Sequence, residues 1–272
     1  MNYKLICTDI DGTLLNDDKK LPLRVKESLQ KAAQKGISIA LVSGRMPSGV
    51  NLIEKELGIP CIKVCNAGTC IFMGETCIQA EYLSNDTMRK LNRTIAKPYR
   101  LPLWIFRNQE WFVTGWDTYI EKETGFVAYH PRIVDAEALA NQWDQEGKAP
   151  NKLLFAAPSE IIQRIEREIT AEKDTEIDTA KSADIFLEIF PKGVSKGTAL
   201  KQICKKLHIK AEETIAFGDH ELDIPLIEAA GIGVAMGNGI LSLKEKADFV
   251  TKTNNEAGIA DALEVILEKG EV

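Results

Sequence analysis

Hydrophobic and polar positions follow two alternating rhythms over the first eighty residues. Leu5-Ile6-Cys7 is a short continuous apolar run, as expected of a strand buried on both faces, and it stops at Asp9-Ile10-Asp11-Gly12. From Leu23 to Lys35 the period lengthens: Val25, Leu29, Ala32 and Ala33 recur at helical spacing and Gly36 supplies the stop. A second apolar run, Ile37 to Val42, ends in Ser43-Gly44-Arg45. Val50 to Leu57 is again helical in period, with Gly58 and Pro60 beyond it, and a third run, Cys61 to Cys65, ends in Asn66-Ala67-Gly68. Strands that alternate with helices, each ending in small or polar residues, predict parallel pairing through right-handed crossovers.

The pattern breaks near residue 83. A helix (Asn85 to Ala96), a hairpin (Leu103 to Phe106 and Trp111 to Thr114), helices near 135–145 and 159–170, and strands Lys152 to Ala156, Glu176 to Ala180 and Ile185 to Phe190 follow. All four tryptophans, Trp104, Trp111, Trp116 and Trp143, lie in this stretch. They are expected chiefly in a core. The first rhythm then returns with helix Lys196 to Leu207, strand Thr214 to Phe217, helix Leu222 to Ala230, strands Ile232 to Ala235 and Phe249-Val250, and helix Ile259 to Lys269. The expected fold is a doubly wound parallel-sheet (Rossmann-like) α/β core formed by 1–82 and 189–272, interrupted by an inserted α+β domain at 83–188.

Composition narrows the function. The chain has 272 residues, 44% hydrophobic and 27% charged, with a formal net charge of -6, which is ordinary for a globular protein. A net negative chain is poorly suited to nucleic acid, and an anionic substrate must be met by local cations. No apolar run is long enough for an ordinary membrane-spanning helix, and Met1-Asn2-Tyr3-Lys4 leads directly into the first strand without a leader pattern. The cytoplasm is therefore the expected compartment, with no membrane or nucleic-acid partner. The six cysteines fit no zinc or iron–sulfur spacing and are expected as reduced small hydrophobes on strands. Oligomeric state is not fixed by the sequence.

In an open parallel sheet, ligands bind beyond the carboxyl ends of the strands. The residues just past those ends are Asp9 and Asp11, then Ser43, Gly44 and Arg45, then Asn66, and finally Asp219 with Asp223. Two carboxylates one residue apart repel each other and resist desolvation, so the pair calls for a cation. Asp9, Asp11 and Asp219 supply hard oxygen ligands suited to Mg²⁺. Ser43 and the Gly44 N–H can donate to phosphoryl oxygens, and Lys196, beginning a helix, adds positive charge. With that charge compensated, Asp9 can attack phosphorus while Asp11 moves the proton. Taken singly, each residue has an ordinary reading: an aspartate as turn former, Arg45 as a helix-start charge, Lys196 as a solvated helix residue, His220 on the surface.

Together, Asp9-x-Asp11-Gly12-Thr13, Ser43-Gly44-Arg45 after an apolar strand, Lys196 in Val-Ser-Lys-Gly, and Gly218-Asp219-x-x-x-Asp223 resemble the four motifs of the haloacid dehalogenase superfamily. Their order and the long insert resemble Cof-type phosphatases with a C2B cap. The resemblance implies an aspartyl-phosphate on Asp9, acid/base chemistry by Asp11, and Mg²⁺ bound by the Asp9 side chain, the Asp11 main-chain carbonyl and Asp219, with Asp223 in support. It also implies a small phosphorylated metabolite as substrate: a sugar phosphate, flavin mononucleotide or pyridoxal phosphate. Asn238, in Ala235-Met236-Gly237-Asn238-Gly239, fits the family's post-strand loop and is taken with Ser43, Gly44, Arg45, Asn66 and Lys196 as phosphate-binding. A phosphomutase and a non-catalytic phosphometabolite-binding protein are the alternatives. Two departures stand out: His220 and Leu222 replace the family's usual amides, and Asn-Ala-Gly replaces Asn-Gly-Ala after the third strand. Leucine cannot hydrogen-bond a neighbouring ligand, and such losses around a metal can cost about 10 to 100-fold in affinity or activity.

Overall fold

The computed structural model describes residues 3–127, 129–172 and 175–269. The outer ends of the expected core, residues 1–2 and 270–272, lie outside the described residues. In chain order the strands are β1 (Leu5–Thr8), β2 (Ser38–Val42), β3 (Ile62–Cys65), β4 (Cys70–Met73) and β5 (Thr76–Ala80), then β6 (Trp104–Arg107), β7 (Glu110–Val113), β8 (Arg132–Ile133), β9 (Lys152–Ala156), β10 (Ile177–Ala183) and β11 (Phe186–Pro191), and last β12 (Thr214–Gly218), β13 (Ile232–Ala235) and β14 (Phe249–Val250). The chain divides into two compact units, one of Met1–Arg45, Val50–Ile78 and Ser195–Val272, the other of Met46–Gly49 and Gln79–Val194.

The first unit is built on a sheet of order β14-β13-β12-β1-β2-β3-β4-β5. β1 lies at its centre, parallel to both β2 and β12, with Cys7 opposite Ala40 on one side and Ala216 on the other. The chain runs outward from β1 to β5, leaves, and returns on the opposite side of β1, so the strand order reverses there. That reversal opens a crevice past the carboxyl ends of β1 and β12. Continuous apolar strands make sense here because helices cover the sheet. Ala199, Leu200 and Ile203 of helix Lys196–Leu207 and Leu226 and Ile227 of helix Ile224–Ala229 pack on Leu5, Cys7, Ala40, Val42, Val64 and Ala216. Helix Leu23–Gln34 buries the periodic residues Val25, Leu29 and Ala32.

β4 and β5 extend the sheet beyond the expected strands, with β4 antiparallel to β3. Of the six cysteines, all free, only Cys77 is exposed, and Cys204 sits on helix Lys196–Leu207 instead of a strand. The turn between β3 and β4 carries Asn66 and Ala67 in the left-handed region, at φ 50° and 61°. Gly68 follows at φ 106°, and a Cβ there would lie 2.6 Å from the Ser195 carbonyl oxygen. Its lack of a side chain lets this turn pack on the backbone that presents Lys196.

The second unit is a six-stranded sheet of order β10-β11-β9-β6-β7-β8. Leu103, Ile105, Phe112, Leu153, Phe155, Leu187 and Ile189 share one core with Met88, Leu91, Leu139, Trp143, Ile162 and Ile165 of helices Asn85–Leu91, Ala136–Glu146 and Ser159–Ala171. Ser84 and Asp135 set two of those helix starts by accepting from the Thr87 and Ala138 amides. A helix not anticipated from the pattern, Thr118–Val127, places Ile120 against Trp104, Phe106 and Trp111 on the other sheet face. Among the described residues no helix is long and apolar enough to cross a membrane.

Candidate active site

Asp9 and Asp219 are 210 positions apart in the chain, yet each directly follows one of two neighbouring parallel strands whose last paired residues are Thr8 and Phe217. Sheet register alone therefore brings them together. Asp223 joins from the short turn Glu221–Asp223, held by its own Oδ2, which accepts the Asp219 and His220 amides at 3.0 Å each. One carboxylate oxygen from each of Asp9, Asp219 and Asp223 lies within 4.8 Å of the others.

Gly12 makes that approach possible. It adopts φ 84°, and a Cβ would stand 2.4 Å from Asp219 Oδ2. Any side chain at position 12 would displace the carboxylate. Thr13 then donates its hydroxyl to Asp219 Oδ1 at 2.6 Å.

Lys196 enters from the first turn of its helix, whose start is fixed by reciprocal hydrogen bonds between Ser195 and Thr198. Its ammonium donates to Asp9 Oδ1 at 2.6 Å and to Asp223 Oδ1 at 2.5 Å. All three groups are buried. Asp9 Oδ2 accepts no hydrogen bond among the described residues, which leaves one oxygen of the buried carboxylate uncommitted.

Burial and charge together set the titration behaviour. Burial is the main reason that Asp9 is held well above the usual carboxylate range, with Asp223 and Asp219 pushing further and Lys196 opposing. Burial, reinforced by Asp223, lifts Asp219 to about 6 against the pull of Thr13 and Lys196. Lys196 is raised despite its burial, because two carboxylates hold its proton. The cluster holds more negative charge than one ammonium balances.

The Asp11 carboxylate is placed differently from those of Asp9 and Asp219. It accepts a two-pronged contact from Arg45, Nε to Oδ2 and Nη2 to Oδ1 at 2.7 Å each, and Lys19 Nζ adds a third at 3.0 Å. Burial would raise Asp11, but these cations outweigh it and hold the carboxyl below its ordinary range. Lys19, at φ 59° in a turn closed by Asn16, belongs to no motif, and nothing in the sequence announced it.

The remaining expected residues fall into two groups. Ser43 is buried, its Oγ accepts the Arg45 amide at 3.1 Å, and its hydroxyl proton is donated to no described residue; Gly44 lies between them at the end of β2. The Ser43 hydroxyl stays available to a phosphoryl group. Asn66 and Asn238 are placed as braces. Asn66 is fully buried, with its amide directed at Cys70 Sγ, 3.9 Å away. Asn238 donates to the Gly12 carbonyl at 2.8 Å and accepts the Asn254 amide at 2.9 Å, so it steadies the turn that carries Asp11 and Gly12. Phosphate contact by their side chains is the expectation; in the structure Asn238 is held through both ends of its amide and Asn66 through its Nδ2.

Over residues 6–263 the chain matches the haloacid dehalogenase-like hydrolase family, and it belongs to that family. It is 29% identical over 301 residues to phosphatase YwpJ of Bacillus subtilis, covering 97% of this chain and 100% of that one. It is 27% identical over 264 residues to the 5-amino-6-(5-phospho-D-ribitylamino)uracil phosphatase YcsE of the same bacterium, covering 97% and 95%. The crystal structure of a haloacid dehalogenase-like hydrolase from Bacteroides thetaiotaomicron matches with a TM-score of 0.86 at 29% identity, over 97% of this chain and all of that one. The protein is a phosphoric monoester hydrolase of this family.

Proposed function

We propose that the protein hydrolyses small phosphorylated metabolites by passing the phosphoryl group through Asp9, with Mg²⁺ held by the Asp9 and Asp219 side chains and the Asp11 main-chain oxygen, and with Asp223 in support. The observation that carries this reading is the convergence of Asp9, Asp219 and Asp223 around a single buried ammonium. The donor set fits a hard divalent cation: every side-chain donor is a carboxylate oxygen, and the raised Asp9 and Asp219 mark a charge deficit that such an ion relieves. When bound, Mg²⁺ would offset the charge that a phosphate ester brings to this acidic site.

The chain's own groups do the rest. Lys196 favours the ionised form of Asp9 against its burial and orients it through Oδ1, leaving Oδ2 to attack phosphorus. The bond from phosphorus to the ester oxygen breaks, its electron pair leaves with that oxygen, and Asp11 supplies the proton. Water then attacks the phosphorus, gives a proton to Asp11, and frees Asp9 and inorganic phosphate. Ser43 and the Gly44 amide hold the phosphoryl oxygens. One condition follows from the geometry: Asp11 can carry a proton only after Arg45 and Lys19 are drawn toward another anion. The incoming phosphoryl group supplies one, so substrate binding and arming of the acid become a single event.

Sugar phosphates, flavin mononucleotide and pyridoxal phosphate are the proposed substrate classes, and the inserted unit is proposed as the cap that selects among them and excludes water. The test is hydrolysis of a panel of such monoesters with and without Mg²⁺. Release of inorganic phosphate that requires Mg²⁺ is expected. Isomerised sugar phosphate without free phosphate would indicate a phosphomutase, and binding without turnover a non-catalytic phosphometabolite-binding protein.

Metal binding is also expected to depend on pH. Because the folded protein raises Asp9 and Asp219, the metal-free fold gains from their protonation at low pH and loses that contribution as pH rises through about 6, the value for Asp219. Mg²⁺ restores it by replacing the proton. At about one hundred times its dissociation constant, Mg²⁺ should raise the melting temperature by roughly 5 to 10 °C at pH 8. The shift should shrink to a small fraction of that at pH 5. Equal shifts at both pH values, measured by calorimetry, would contradict proton competition at these carboxylates.

A further inference from the structure

We propose that the inserted unit carries a second ligand site, separate from the carboxylate cluster, that binds a planar aromatic ring bearing an anionic group. The site is a cavity of about 500 Å³. That is within the range of small-molecule pockets. All its walls belong to the inserted unit: the segment from Asn92 to Pro102, the segment from Thr114 to Tyr119, and Val134 to Ala136.

Three observations define the ligand. Asn92 is 4% exposed and lines the cavity, yet among the described residues its side-chain amide has no hydrogen-bond partner. An amide that faces a cavity without a protein partner is satisfied by what enters it, water or ligand. Asn92 also begins a one-turn π-helix, Asn92–Ala96, a departure from α geometry that is frequent at functional sites.

The second observation is charge. The Arg100 guanidinium has no ion pair or hydrogen bond among the described residues, and Lys97 acts on Glu137 only at longer range. The two acids of the lining are already engaged: Asp117 accepts the Ile120 amide and Asp135 the Ala138 amide, each at 2.8 Å. The charged groups of the lining left without a hydrogen-bonded partner are therefore its two cations, while each acid is held at a helix start.

The third is Trp116. Trp104, Trp111 and Trp143 are at most 3% exposed, whereas Trp116 is 48% exposed and lines the cavity. A lone exposed aromatic is ordinary. One that lines the same cavity as an unpaired guanidinium and an amide without a protein partner offers a stacking platform with a polar end, suited to an aromatic anion.

The probe is 8-anilinonaphthalene-1-sulfonate, with its sulfonate-free analogue N-phenyl-1-naphthylamine as the matched neutral ring. Neither is a phosphate ester, so the outcome is independent of the hydrolytic reading. Saturable binding of the sulfonate is expected to weaken by at least about tenfold in the Lys97→Gln/Arg100→Gln double variant, the loss of one or more charge-assisted contacts. Arg100→Lys and Trp116→Phe should retain binding, and Trp116→Leu should weaken both probes. Both charges are exposed, so their replacement leaves the fold intact. Equal affinity for the two probes, or an unchanged sulfonate affinity in the double variant, would overturn the proposal. So would a wild-type dimer that Trp116→Leu converts to monomer, because the face would then be a contact between copies.

Discussion

Asp9→Asn is expected to lower kcat by at least about 10⁴-fold while leaving the protein folded, because the amide keeps the shape of the carboxylate and removes the oxygen that attacks phosphorus. The expectation about folding follows from the same cluster. Asp9 is raised by burial and by the charges of Asp223 and Asp219, so its ionised form costs the fold stability above the ordinary carboxylate range. An amide imitates the protonated group. Lys196 retains Asp223 at 2.5 Å, so it is not stranded. Thermal stability without metal should therefore hold or rise slightly at pH 8, with no gain at pH 4. Turnover in Asp9→Asn within about tenfold of wild type would remove Asp9 from the reaction. A collapse of stability at every pH would mean that the carboxylate is structural.

Lys196→Met carries the opposite expectation for folding. The ammonium is buried and donates to both Asp9 and Asp223, with Asp219 close by. Its loss leaves buried carboxylates without a cation, a change expected to cost about 3 to 5 kcal/mol at pH 8. For a chain of this size that is on the order of 10 °C in melting temperature. The raised Lys196 stays charged from acid through neutral pH, so its contribution is present in the wild type throughout that window. The acids are what change: at pH 5 Asp9 and Asp219 take up protons and need the lysine less, so the loss should shrink. Mg²⁺ at pH 8 should recover part of it. Denaturant unfolding at both pH values measures this, and a loss that does not depend on pH would show that methylene packing, rather than charge, explains the burial of Lys196.

Much of this site could be read along the chain, for a physical reason. β1, β2 and β12 are buried on both faces, so they appear as unbroken apolar runs, and the residues that follow such runs must meet at one edge of a parallel sheet. Asp9, Ser43 and Asp219 were legible in that way, and Lys196 as a positive charge at the start of a helix. β4 and β5 were not, because Gly74, Glu75 and Thr76 interrupt the apolar pattern and β5 is largely exposed or half-buried. Helix Thr118–Val127 was hidden by Gly125, which weakens helical propensity, and by the absence of a repeated apolar spacing.

The finer assignments were beyond sequence for a different reason. Which partner a charged side chain chooses depends on distances of a few ångströms between segments remote in sequence. Asp11 is clamped by Arg45 and Lys19, Asp223 shares Lys196 with Asp9, and Asn238 holds the Gly12 carbonyl. No spacing rule encodes these pairings. The departures at His220 and Leu222 are better understood from Asp223: its anchor is formed by the main-chain amides of Asp219 and His220, which any residue type supplies.

The most direct test of the proposed reaction is rapid acid quenching during the first turnover with Mg²⁺ and a hydrolysed monoester, followed by mass spectrometry of the chain. A phosphoryl group on the peptide containing Asp9, formed before inorganic phosphate appears and discharged by hydroxylamine, is the expected result. Phosphate released at full rate while the chain never carries phosphorus would contradict it.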